Sequence, residues 1–421
     1  MNARLTALVV PVLAPLLTVP PTELDDGWTG VLDEASFAAL HELKDGEAPE
    51  LRGEDVEVGG MDAYVSKPAY GEPLGGVVVI HEWWGLNEHV KHWADRLASD
   101  GYVALAVDLY DGVVATTRDD AMAAMRGVDG DAAREKLLAA HEYLSSADGL
   151  AAERTACIGW CFGGGWSLET AIAEPELDAG VIYYGRLVTD VERLGQIEAS
   201  MLGVFGNEDR GIPPSAVEEF AEAMDAAGKD LTLRQYDANH AFANPSSARY
   251  DAENASAAWG ETRAFLYEHL QPEFGDGSIN GGQRVLEAID LDGWDEAARS
   301  QFTVIVREVD GGAKCTVSAL RGDGGGLARN LNRWRAQMGE GDMSSDDIDA
   351  LPTIPLLGRL APSIRITGTF RGMRVDPIED AAMLCAVATL DDETVFVKLV
   401  GPREAVDAQR EQFAAFCRGL R

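Results

Sequence analysis

The sequence predicts an α/β domain built on a mostly parallel sheet, followed by a smaller α+β domain. Three observations predict it. Fully apolar runs such as Gly76-Val77-Val78-Val79-Ile80 alternate with amphipathic segments of helical length, the pattern of parallel strands buried on both faces. The 421-residue length exceeds one usual domain, and 46% apolar content is enough for two cores. The charge breaks along the chain: residues 1–279 carry 49 acidic and 18 basic side chains, a net −31, whereas residues 280–421 carry 22 and 17, a net −5. That shift places a boundary near 280. The whole-chain charge of −36 argues against nucleic acid or an anionic membrane as a partner.

In chain order, residues 1–19 resemble a secretory signal. One Arg precedes an apolar run from Leu5 to Val19, broken by Pro11 and Pro15 and too short for a comfortable membrane span. Export to the periplasm or medium is therefore expected; the other reading is an apolar N-terminal arm packed on a cytoplasmic protein. Residues 20–53 are acidic and proline-containing, a linker with one short helix around Phe37 to Leu43. The α/β domain is expected over 54–271. It opens with two strands joined at Gly59-Gly60, and Gly76–Ile80 then delivers His81-Glu82 to the C-terminal edge of the sheet, where ligands bind in open α/β folds. Asn87 caps a helix to about Ser99, ended by Gly101. His89 and His92, three apart on that helix, read as a solvated face rather than a metal pair. Tyr102–Val107 is the next buried strand, and two alanine-rich helices fill 117–148.

Thr155-Ala156-Cys157-Ile158 reads as a strand and Trp166–Ile172 as a helix, with Gly159-Trp160-Cys161-Phe162-Gly163 between them. A G-x-C-x-G centre between strand and helix is the cysteine form of a nucleophile elbow: the turn is tight, so its flanks must be small. The helix N-terminus behind Cys161 favours a thiolate and a developing oxyanion. A strand follows at Ala179–Tyr184, then Leu202–Phe205 ending near Asp209, a helix opened by Pro213-Pro214, a strand at 230–236 ending near His240, and a closing helix to Leu270. Nucleophile, acid, histidine in that order on strand ends is the triad order of the α/β-hydrolase fold. Cys161, Asp209 and His240 are thus the candidate catalytic residues. Glu82, flanked by Trp83 and Trp84, would be partly desolvated and so useful as a proton acceptor. Trp84, Tyr110 and Arg186 are candidate substrate contacts, Arg186 either for an acidic substrate or as a plain surface residue.

Together with His81-Glu82-Trp83-Trp84-Gly85-Leu86-Asn87, Gly101–Tyr110 and His240-Ala241-Phe242, these motifs resemble the dienelactone hydrolase family over residues 54–271. The resemblance implies that Glu82 contacts the resting thiol and helps activate it. It also implies that the backbone N–H groups of Trp83 and Phe162 form the oxyanion hole. In that family, arginines bind the substrate's carboxylate, one of them just after the catalytic histidine; here the residue four past His240 is Asn244. Arg249 lies further on, and Arg118 and Arg126 are possible substitutes for the other arginine; the machinery transfers well and the dienelactone substrate poorly. The expected activity is hydrolysis of a small carboxylic ester or lactone through a cysteine thioester, with no metal and no organic cofactor. Two other readings stay open: a thioesterase or acyltransferase on the same triad, and a non-catalytic protein that binds through its C-terminal domain.

Residues 272–283 read as a glycine-containing linker. Beyond it, strands are expected at 302–306, 314–320, 364–370, 382–389 and 395–400, with helices at Leu327–Met338 and after Gly401-Pro402. This domain, 284–421, has no acid, histidine and nucleophile set, and Asn330–Gln337 with Phe396–Pro402 resembles a module of exported bacterial proteins without assigned chemistry. Its protein partner is unknown. The five cysteines have no CxxC spacing and give no metal site; any pairing among Cys315, Cys385 and Cys417 is left open.

Overall fold

Strands covered on both faces must be apolar at every position, and five-residue runs of that kind build the first sheet. The computed structural model describes residues 51–421 apart from 147–148, 272–278, 281–282, 285, 301–302, 373–375 and 392. The signal-like segment, the helix expected near Phe37 and residues 272–278 of the expected linker lie outside the described residues. The first sheet holds β1 (Glu54–Val58), β2 (Met61–Ser66), β3 (Gly76–Ile80), β4 (Val103–Val107), β5 (Thr155–Trp160), β6 (Ala179–Tyr183), β7 (Ser200–Gly206) and β8 (Leu231–Tyr236). Their spatial order is β1-β2-β4-β3-β5-β6-β7-β8. β1, β2 and β4 pair antiparallel, and β4, β3, β5, β6, β7 and β8 are successively parallel.

Alternation along each strand feeds two cores. Val77 and Val79 face Trp93 and Leu97 of α1 (Glu88–Asp100) and Trp259 and Leu266 of a long closing helix, Ala252–Leu270. Val78 and Ile80 face the opposite way, onto helices at Gly130–Ser145, Phe162–Ala173 and Pro214–Ala227, which contribute Leu137, Leu168 and Phe220. Numbered in order, α2 is Arg118–Gly127, α3 Gly130–Ser145, α4 Phe162–Ala173, α5 Val191–Leu194, α6 Pro214–Ala227 and α7 Ala252–Leu270. The expected caps are present on α1: the Asn87 side chain accepts the Val90 N–H at 3.2 Å, and Gly101 ends the helix at φ 107°. One expectation fails there. His92 is only 2% exposed; it lies on the packed side of α1, so the His89–His92 pair is not a solvated face.

The C-terminal domain is an antiparallel seven-stranded sheet in the order β11-β12-β13-β17-β16-β15-β14. After a short pair, β9 (Ile279–Asn280) and β10 (Gln283–Arg284), its strands are β11 (Trp294–Glu296), β12 (Ile305–Val309), β13 (Ala313–Arg321), β14 (Thr353–Leu356), β15 (Arg359–Phe370), β16 (Ile378–Thr389) and β17 (Glu393–Pro402). α8 (Leu327–Met338) covers one face through Leu331, Trp334 and Met338. The carboxyl-terminal helix Arg410–Gly419 covers the other through Phe413 and Phe416. The sequence reading missed both edge strands. β11 is three residues long, and β14 contains Pro355, which an edge strand tolerates and a central one does not. The two sheets dock through buried arginines. Arg263 of α7 donates to Asp100 of α1 at 3.0 Å and to the Thr353 carbonyl at 3.2 Å, and Arg418 donates to the Tyr70 carbonyl at 2.6 Å. Cys315, Cys385 and Cys417 are buried free thiols.

Candidate active site

Cys161 stands between β5 and α4 with φ 55° and ψ −111°, a conformation that L-residues other than glycine adopt only under constraint. The turn's glycines are sterically required. A Cβ on Gly159 would lie 2.2 Å from the Gly163 carbonyl oxygen, and one on Gly163 would lie 2.2 Å from the Ile80 carbonyl oxygen. The elbow is therefore pressed against the end of β3, next to His81-Glu82-Trp83. As the first residue of α4, Phe162 has an N–H with no acceptor inside the helix. The Trp83 N–H has no acceptor among the described residues.

The ends of β7 and β8 complete the arrangement. His240 Nε2 is 3.2 Å from Cys161 Sγ, and His240 Nδ1 is 2.6 Å from Asp209 Oδ2. Asp209 is 3% exposed; its other oxygen accepts the N–H groups of Gly211 at 2.7 Å and Ile212 at 3.2 Å. Burial alone would raise the Asp209 carboxyl, but the His240 bond and these two N–H groups hold it below the usual carboxylate value. Burial works against the His240 imidazolium, and the bonds to Asp209 and Cys161 outweigh it, pushing the ring up to about 10. The three residues chosen from chain order thus form one continuous chain from thiol to imidazole to carboxylate.

Glu82 sits beside this chain, bonded elsewhere. Its Oε2 accepts from Asn244 Nδ2 at 2.5 Å, and its buried Oε1 has no partner among the described residues. Burial raises its carboxyl to about 7 against the opposing pull of Asn244 and His240. No hydrogen bond to the Cys161 thiol is present. Asn244, read in the sequence only as a missing arginine, is the residue that holds Glu82; the partners are 162 positions apart, and no local signal links them. A raised folded-state value means that folded Glu82 binds its proton more tightly than unfolded Glu82. Stability therefore falls as pH rises from about 4.5 through 7, by on the order of 3 kcal/mol. Glu82→Gln keeps an acceptor for Asn244 and removes the charge. Its melting temperature should exceed that of the native protein at pH 8, with the gap closing below about pH 5, as thermal melts across that range would register.

Of the candidate substrate contacts, Trp84 is half-buried with its ring 4.9 Å from that of Trp83. Tyr110 is buried, its ring 5.1 Å from Phe162, and its hydroxyl has no partner among the described residues. Burial first, then the charges of Cys161 and Asp108, raises that hydroxyl. Arg186 is at the surface, its side chain 81% exposed and 3.5 Å from Glu169. No described contact joins it to Cys161, Asp209 or His240. The described residues hold no cluster of His, Cys, Asp and Glu arranged for a metal.

Residues 61–270 match the dienelactone hydrolase family. A protein of Methylorubrum extorquens named "Putative carboxymethylenebutenolidase" is 33% identical over 219 residues, covering 48% of this chain and 75% of that protein. The chain belongs to the dienelactone hydrolase family. A second relative, "Protein usf" of Aquifex pyrophilus, is 32% identical over 235 residues, covering 53% of this chain and 99% of that protein. Among solved structures, a dienelactone hydrolase-like promiscuous phosphotriesterase from metagenomic libraries shares 26% identity, covers 52% of this chain and 98% of its own, and superposes with a TM-score of 0.48. Membership makes the protein a hydrolase, as the sequence motifs led one to expect. The family match ends at residue 270 and leaves the C-terminal domain outside it.

Proposed function

We propose that the protein hydrolyses a small carboxylic ester or lactone through a thioester on Cys161. The single observation that carries this is the unbroken chain from Cys161 Sγ through His240 to Asp209, at 3.2 and 2.6 Å. The proton of the Cys161–His240 pair rests on His240 Nε2 as Sγ attacks the carbonyl carbon. The tetrahedral oxyanion is held by the N–H groups of Trp83 and Phe162, each donor in such a hole contributing about 3–4 kcal/mol. Collapse expels the alcohol, which leaves with the proton from His240, and the acyl group stays on sulfur. Water then gives a proton to His240 and attacks the thioester. The carboxylic product departs as sulfur leaves, and the proton stays in the Cys161–His240 pair. Asp209 keeps the proton of His240 on Nδ1, so that Nε2 is the acceptor, and stabilises the imidazolium. Glu82 is a second proton acceptor for Cys161, reached when it leaves Asn244. Residues 54–271 form the catalytic unit in this reading, and 284–421 a binding or structural module.

Turnover of a mixed panel of activated esters and small lactones tests the reading. The expected result is one equivalent of carboxylate per substrate consumed, with no product carrying an added alcohol or amine when such nucleophiles compete with water. Transfer to those nucleophiles in preference to water would replace hydrolysis by acyl transfer.

A further inference from the structure

The peptide bond between Glu82 and Trp83 has its carbonyl on one side and the Trp83 N–H on the other, because peptide bonds are trans here as elsewhere in the described chain. What grips that carbonyl decides where the N–H points. The Glu82 carbonyl oxygen is 2.5 Å from His81 Nδ1 and also accepts the Gly85 N–H at 3.3 Å. The other ring nitrogen, Nε2, accepts the Leu109 N–H at 3.1 Å. A nitrogen that accepts carries no proton, so the ring proton is on Nδ1 and is donated to the Glu82 carbonyl. The ring cannot turn over without losing both bonds. It is 0% exposed, stacks on Phe162 at 5.5 Å with a 16° interplanar angle, and meets Tyr110 edge-on at 4.5 Å. His81 therefore touches both segments that carry the free N–H groups, the loop after β3 and the first residue of α4.

We propose that His81 is a positioning residue that locks the Glu82–Trp83 peptide with its N–H turned away from the imidazole and toward the oxyanion. The inference rests on the reading of the Trp83 N–H as an oxyanion donor. Burial drives the ring down to about 4, in keeping with an imidazole that stays neutral and serves as a fixed donor and acceptor rather than as a proton shuttle. Loss of the lock leaves the Glu82 carbonyl held only by the long 3.3 Å bond from the Gly85 N–H, too weak to fix the peptide, and leaves one firm donor, that of Phe162.

Three substitutions separate the lock from mere packing. His81→Phe keeps a flat ring and removes both nitrogens. His81→Asn places an amide N–H near the position of Nδ1, and His81→Gln places an amide near that of Nε2. With an ester the native protein turns over, His81→Phe should lower kcat about 10²–10³-fold, the loss of one oxyanion donor, with KM within about threefold. His81→Asn should recover most of that loss, and His81→Gln should not. The rate ratio between an ester and its thiono analogue, whose sulfur accepts hydrogen bonds poorly, should also collapse toward one in His81→Phe and His81→Gln. If the phenylalanine variant does not fold, the asparagine–glutamine contrast and the thiono ratio decide alone. Equal kcat for the asparagine and glutamine variants, with a native thiono ratio in both, would overturn the proposal. Cys161→Ala measured alongside distinguishes the failures. Turnover surviving in Cys161→Ala would sink the thioester reading itself, whereas a dead Cys161→Ala with indifferent His81 variants would sink only the lock.

Discussion

Cys161→Ala should abolish ester turnover, lowering kcat by about 10⁶-fold, the scale seen when a nucleophile of a triad is removed. The residual rate would come from the oxyanion donors and substrate binding alone, neither of which the substitution touches. Folding should survive. Alanine is smaller than cysteine, and the unusual φ of 55° at this position is imposed by Gly159, Gly163 and the end of β3 rather than by the sulfur. Steady-state kinetics beside a thermal melt would therefore separate chemistry from structure in one pair of samples. A fully active Cys161→Ala would contradict the mechanism at its first step.

Asp209→Asn should cost about 10⁴-fold in kcat while leaving the fold intact. The geometry explains both halves. One oxygen of Asp209 already accepts two backbone N–H groups, from Gly211 and Ile212, and the carbonyl oxygen of asparagine can keep those bonds. The amide nitrogen would then face His240 Nδ1 as a donor. His240 would have to accept at Nδ1 and carry its proton on Nε2, pointing at Cys161, where it cannot take the thiol proton. The 2.6 Å bond to Asp209 is also among the contacts that raise the His240 imidazolium. Titration of the ring by NMR should thus show His240 losing its proton at markedly lower pH in the variant. An Asp209→Asn variant with native kcat would mean that His240 takes its orientation from something else.

How much of this was legible in the sequence follows from what each signal depends on. β3, β4, β5 and β6 are continuous apolar runs because they are covered on both faces, and such runs can be read without neighbours. The juxtaposition of Cys161, His240 and Asp209 was legible because a doubly wound sheet brings the ends of β5, β7 and β8 together, so chain order and strand ends suffice. The elbow was legible because sterics at Gly159 and Gly163 admit no side chain. Contacts made only by tertiary packing were not. The Asn244–Glu82 bond links a loop after β8 to one after β3, and neither residue carries a periodic or spacing signal. His81 looked like a passenger of the Glu82 motif, since nothing local tells which way its ring turns. Arg186 was a candidate by residue type alone, and its ion-pair partner, Glu169 of α4, lies 17 positions earlier in the chain. His92 shows the same limit on a helix. A polar residue inside an amphipathic pattern reads as solvated unless the packing partner is known, and here the helix buries it.

The central claim is that the acyl group passes through the sulfur of Cys161. The most direct measurement is intact mass spectrometry on the native protein quenched during turnover of a slowly deacylated ester, followed by peptide mapping. The account predicts a mass increase equal to the acyl group, located on the peptide containing Cys161, absent in Cys161→Ala and discharged by hydroxylamine. Turnover proceeding with the acyl group found on another residue, or with no adduct at any quench time, would contradict it.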